Sequence, residues 1–133
     1  MLTELAIWLC TRVAGLVRGA NLQVGFRPQG APVRCHALIE NGGPADFDLP
    51  YRTDMMLQVY TRGETIDQAR TDAWAVYDAI QGTSGWTIGP EVSGGQAYKI
   101  WSIAALAKPL YIGEDEKGAH EFSTNYLIRV SRI

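Results

Sequence analysis

The sequence has little with which to do chemistry. Only two histidines, His36 and His120, occur in 133 residues, and neither stands at metal-ligand spacing from a second donor. His36 adjoins Cys35 in a stretch read as a strand, where neighbours point to opposite faces and cannot share one ion. Two cysteines, Cys10 and Cys35, are too few for a disulfide framework; they read as reduced, buried thiols, with a single bridge still open. A net charge of −2 removes any general attraction to nucleic acid. Arg12 and Arg18 interrupt the apolar start and no basic leader precedes it, so neither a signal peptide nor a membrane span is expected and the chain should fold in cytoplasm.

Motifs for catalysis are missing in the same way. The glycine pairs Gly42-Gly43 and Gly94-Gly95 do not follow a strand and open a helix with a lysine, as a phosphate cradle requires. No nucleophile elbow occurs. Asp46, Asp48 and Asp54 resemble half of a calcium loop, but the ordered glycine and the closing glutamate are absent. Glu114, Asp115 and Glu116 are adjacent acids without the burial that would separate acid from base roles. The tryptophans lack the interleaved basic residues of a base-stacking groove. An enzyme is not expected, and no cofactor or metal is implied.

What the chain does contain is an alternation of helical and strand periods. Length and a 47% apolar composition suit one domain over residues 1–133 with its own core. Leu2, Leu5, Leu9, Val13 and Leu16 predict an amphipathic helix over 2–18, closed by Gly19. Strands follow at 21–27 and at 33–40, the latter with Val33, Cys35, Ala37 and Ile39 on one face. A breaker-rich loop fills 41–50, and 54–61 is a strand with Met55, Leu57 and Val59 aligned. Thr65 and Gln68 form a capping box opening the clearest helix, with Ile66, Ala69, Ala73, Tyr77 and Ile80 as its buried stripe and Gly82 as its stop. After a glycine-rich loop over 82–95, with a short strand near Trp86, residues 98–107 read as a central strand covered on both faces. The sum is an α/β (α+β) fold: an antiparallel or mixed sheet of about five to six strands with two helices packed on one face.

The stretch from Pro109 to Val130 is the most distinctive. A strand-like lead-in, a compact acidic turn bracketed by Gly113 and Gly118, and a second alternating strand make a hairpin that presents charge. Residues 1–34 hold Arg12, Arg18, Arg27 and Arg34 against Glu4, while 114–121 hold four acids against Lys117. Trp8 and Trp74 lie off the main stripes of their helices and are candidates for helix–helix or subunit contact.

The run TRGETIDQARTDAWAVYDAIQG (Thr61 to Gly82), the later PLYIGEDEKG (Pro109 to Gly118) and the strand from Phe122 to Tyr126 resemble the tail terminator, or minor capsid, proteins of long-tailed bacteriophages. The resemblance covers most of residues 50–130. It implies a structural virion protein, assembled in the host cytoplasm, that forms a homo-hexameric ring at the head-proximal end of the tail tube, ends tube polymerisation and joins the tail to the head–tail connector. A neck stopper, or head-completion protein, is the alternative. Genomic DNA would pass through the ring without sequence-specific binding, and no membrane is involved. Chosen by charge and expected exposure, the candidate subunit or partner contacts are Glu114, Asp115, Glu116, Lys117, Trp8, Trp74, Arg12 and Arg18; Asp46, Asp48 and Glu64 are candidates for the lumen. A ring of heterologous contacts needs two complementary patches per subunit.

Overall fold

The two longest strands among the described residues each bury every second side chain over their middle, and they pair with each other at the centre of the sheet. A computed structural model describes residues 2–25, 30–41, 52–89 and 97–132. In chain order the elements are α1 (Leu2–Arg12), β1 (Leu22–Val24), β2 (Cys35–Asn41), β3 (Arg52–Gly63), α2 (Ile66–Ile80), β4 (Ser84–Ile88), β5 (Tyr98–Ala105), β6 (Leu110–Glu114) and β7 (His120–Arg132). The sheet runs β1-β2-β3-β7-β5-β4, with β6 also paired to β7. Among the described residues only β1 and β2 pair as parallel strands, so the sheet is mixed, with seven strands where about five to six were expected. The fold is α+β, as expected.

Register explains which side chains meet in the core. Met55, Leu57 and Val59 of β3 lie opposite Ile128, Tyr126 and Thr124 of β7. All six are buried, and Val76 and Ile80 of α2 pack on the same cluster. Burial in this layer pushes the Tyr126 phenol far above its ordinary range. Leu5 and Leu9 of α1 join that cluster with Leu22, Leu38, Ile88 and Ile103. Helix α1 touches β1 and β2 and also β4, strands from opposite ends of the order, so the sheet curls around it.

Several local expectations shift. Helix α1 ends at Arg12, not at residue 18. Gly15 at φ +84° breaks the helical path, and Asn21 ties the chain back by accepting from Val17 N (2.7 Å) and donating to Gly15 O (2.8 Å). In α2 the buried stripe is Ala69, Ala73, Val76 and Ile80, while Ile66 is exposed and Tyr77 half-buried. Thr65 Oγ1 accepts from Gln68 N at 3.1 Å, but the Gln68 amide oxygen accepts from Glu64 N (2.9 Å), one residue before the expected return bond.

In β2 the residues facing the core cluster are His36 and Leu38, which register with Thr61 and Val59. Cys35 and Ala37 point to the opposite face and are still buried. Both cysteines are free thiols. Strand β5 is not the covered centre of the sheet. That position belongs to β7, which β3 flanks on one side and β5 and β6 share end to end on the other. A bulge between Ile100 and Ser102 leaves Ile100 and Ile103 buried and Trp101 exposed. Residues 42–50 and 90–95 of the two expected loops lie outside the described residues.

Candidate assembly surfaces

The acidic tip between β6 and β7 is built around one of its own acids. Asp115 Oδ1 accepts from Lys117 N and from Ala119 N, each at 2.9 Å, and Asp115 N donates to Ala119 O at 2.8 Å. An aspartate followed by this pattern closes a turn on its own backbone, and Gly118 supplies the positive φ of +83° that the turn needs. The other oxygen, Oδ2, lies 3.7 Å from Arg62 Nη1 at the end of β3. Arg62 also donates to Val33 O (2.9 Å) and Pro32 O (3.0 Å). One guanidinium thus holds the tip, β3 and the segment before β2 together.

The remaining tip residues divide. Glu114 Oε1 is 3.8 Å from His120 Nε2, whose other ring nitrogen is 2.9 Å from the Tyr111 hydroxyl. Glu116 and Lys117 are exposed. Beside them a cleft of about 230 Å3 is lined in part by Arg62, Asp115, Lys117 and Glu64. Of the acids named from the sequence for the lumen, Glu64 is exposed just before α2, and Asp46 and Asp48 lie outside the described residues.

The structure brings Trp8 and Arg12 together and keeps Trp74 apart. Trp8 stacks on Trp86 of β4, with ring centroids 4.1 Å apart and planes 10° from parallel. Arg12 stands over the Trp8 ring at 5.2 Å. Arg18 is exposed in the segment after α1, where it bridges to Leu22. Trp74, half-buried on α2, meets the edge of Tyr77 at 4.9 Å.

A second cleft of about 260 Å3 opens between the end of α1, the start of β2 and α2. Arg34 and Asp72 cross it through two 2.8 Å bonds, which hold the Arg34 pKa above its ordinary value. His36 lines its floor, with Nδ1 at 2.9 Å from Thr61 Oγ1. Burial pushes His36 down to about 4; Asp72 raises it in part and Arg34 lowers it further. The imidazole is therefore neutral near pH 7. Among the described residues no group of three histidine, cysteine or carboxylate side chains is placed to hold a metal ion.

Sequence reasoning passed over one further surface. On the sheet face away from the helices, β2, β3 and β7 carry polar links: Asn41 donates to Gln58, Gln58 to Ser123, and Arg129 to Asp54. Across β5 and β6 the same face is apolar. Leu110, opposite Ser123, is 64% exposed, and Trp101, whose Nε1 donates to Ser131, is 46% exposed. Leu106 and Ile112 are exposed beside them. The signal was present in the unbroken apolar run Leu110-Tyr111-Ile112, where a strand with one wet face should alternate.

Comparison with known families gives one match. A family described as bacteriophage tail terminator protein matches residues 29–132. A search of curated proteins returned no match.

Proposed function

Because the chain belongs to the bacteriophage tail terminator family, we propose that it forms a ring of about six copies on the head-proximal end of the tail tube. The family makes it a structural component of the phage tail. In the proposed role the ring stops tube polymerisation and offers its other side to the head–tail connector. The observation that carries this reading is the extent of the match, which takes in every strand from β2 to β7 and α2.

The exposed tip residues Glu116 and Lys117, with Glu114 beside them, are assigned to axial contact with the tube or the connector. Arg12 and Arg18 offer the opposite charge on another part of the surface. Asp115 serves the tip by shaping it, and Trp8 supports Arg12 from below. Glu64 is assigned to the lumen, where an acid lets the phosphate backbone slide past and a basic lining would hold it.

Adding the purified chain to polymerising tube protein and following tube length by electron microscopy tests the proposal. Capped tubes of restricted length, each with a ring at one end, are expected. A chain that stays monomeric and leaves tube growth unchanged defeats the reading. Binding to the portal-side complex in preference to the tube would make it a stopper instead.

A further inference from the structure

A ring needs two different patches on each subunit, and a two-layer fold supplies two opposite sides. On the helix side, α2 turns Ala69, Ala73, Val76 and Ile80 into the core. Residues Asp67, Thr71, Trp74 and Asp78 recur at spacings of three and four on the opposite side of that helix. Asp67, Thr71 and Asp78 are exposed and Trp74 is half-buried. The result is a tryptophan set between two acids. Arg70 engages Asp67 at 3.1 Å, and Asp78 has no ion pair among the described residues.

On the sheet side, the exposed apolar residues Trp101, Leu106, Leu110 and Ile112 are accompanied by two cations, Lys99 at the start of β5 and Lys108 in the connection between β5 and β6. Lys99 Nζ is 5.6 Å from the Trp101 ring, and Lys108 is exposed with no ion pair among the described residues. Large exposed apolar side chains grouped in this way mark a contact surface. The bulge at Ile112, between Tyr111 and Gly113, breaks the regular edge of β6, so the strip is built for face-on packing rather than strand addition.

Resting on the ring proposed above, we infer that the strip on β5 and β6 of one copy packs against the Asp67–Trp74–Asp78 face of α2 in the next. The occupant is a second copy of this chain because the patches match in kind. Each combines aromatic or aliphatic bulk with charge, acidic on α2 and basic on the strip, and they face opposite ways on one subunit. Such an arrangement is heterologous and propagates around a ring, with the charges fixing register and orientation.

Charge reversal with mixing tests the inference. One variant carries Lys99→Glu and Lys108→Glu; the other carries Asp67→Lys and Asp78→Lys. Each alone presents like charges across every contact and should associate roughly tenfold or more weakly than the wild type in sedimentation, free or on tube protein. An equimolar mixture should recover association, because alternating variants restore opposite charge at each contact. Leu110→Ser, an exposed change that leaves the core alone, should weaken association without moving the thermal midpoint. Wild-type rings together with undiminished assembly of either reversed variant, no recovery on mixing, or no effect of Leu110→Ser would remove this contact and leave the ring standing. A wild-type chain that forms no ring, free or on tube protein, removes the ring and the contact with it.

Discussion

Arg62 and Asp115 are joined across the end of the sheet, Nη1 to Oδ2 at 3.7 Å, while the same guanidinium donates to the carbonyls of Pro32 and Val33. The pair anchors the acidic tip to the body of the protein. Removing the guanidinium leaves the Pro32 and Val33 carbonyls without that donor and takes the cation away from Asp115. Arg62→Ala should therefore cost about 1–3 kcal/mol in urea unfolding. An unchanged midpoint would show that water replaces all three contacts.

The same geometry separates stability from docking at the tip. Asp115 is spent on backbone hydrogen bonds, whereas Glu116 and Lys117 face solvent. Asp115→Ala should loosen the turn and lower stability by about 1–2 kcal/mol. Glu116→Lys with Lys117→Glu should stay within about 0.5 kcal/mol of wild type, yet impair joining of tails to heads. Normal joining by the latter variant, measured as infectious particles, would release the tip from a docking role.

His36 gives the fold a dependence on pH. Its value in the folded state, about 4, lies below the ordinary 6.5. Between those values the unfolded chain binds a proton that the folded chain refuses, so stability rises with pH across that window. The stabilisation is complete above about pH 6.5 and is lost as pH falls toward about 4, an effect of at most roughly 3 kcal/mol. His36→Gln should flatten this part of the stability curve. The comparison is between urea midpoints at the two ends of the window for each protein.

Gly63 closes β3 directly beneath the first turn of α2. A Cβ added there would meet Ala69 N at 2.8 Å and Ala69 Cα at 3.1 Å. Both are backbone atoms, so the helix itself would have to move. Gly63→Ala should destabilise by about 1–3 kcal/mol. An unperturbed thermal midpoint would mean that α2 can shift along the sheet without loss.

The stacked pair Trp8 and Trp86 ties α1 to β4. A double-mutant cycle to alanine should return a coupling of about 0.5–1.5 kcal/mol beyond the two single losses. Strict additivity would show that the rings are merely adjacent.

What the sequence disclosed follows the range of the interactions involved. The start of α2 was readable because Thr65 and Gln68 act within one turn. Pairing of β6 with β7 was readable because Gly113 and Gly118 bracket a short reversal. In α1, Val13 and Leu16 continue the helical period past Arg12, where the helix ends just ahead of Gly15, so periodicity overshot. In β2 an alternation of two leaves the choice of face to the register with β3, which nothing local encodes. Strand β5 looked central because apolar residues fall on both of its faces; the bulge at Trp101 and the open sheet face account for them differently. Arg62 and the Arg34–Asp72 pair act across long separations and left no local mark.

The pairing of β3 with β7 sets the tempo of folding. These strands register from Arg52 with Ser131 to Gly63 with His120, so the middle of the sheet joins segments far apart along the chain. Closing so long a loop comes before most of the reward for it, and topologies of this kind fold on the order of milliseconds to seconds. During synthesis β3 and α2 emerge without their partner strand, and β7 arrives only with residues 120–132. Strand β6 and the strip it carries are likewise held in place by β7. Display of that strip therefore waits on the docking of β7.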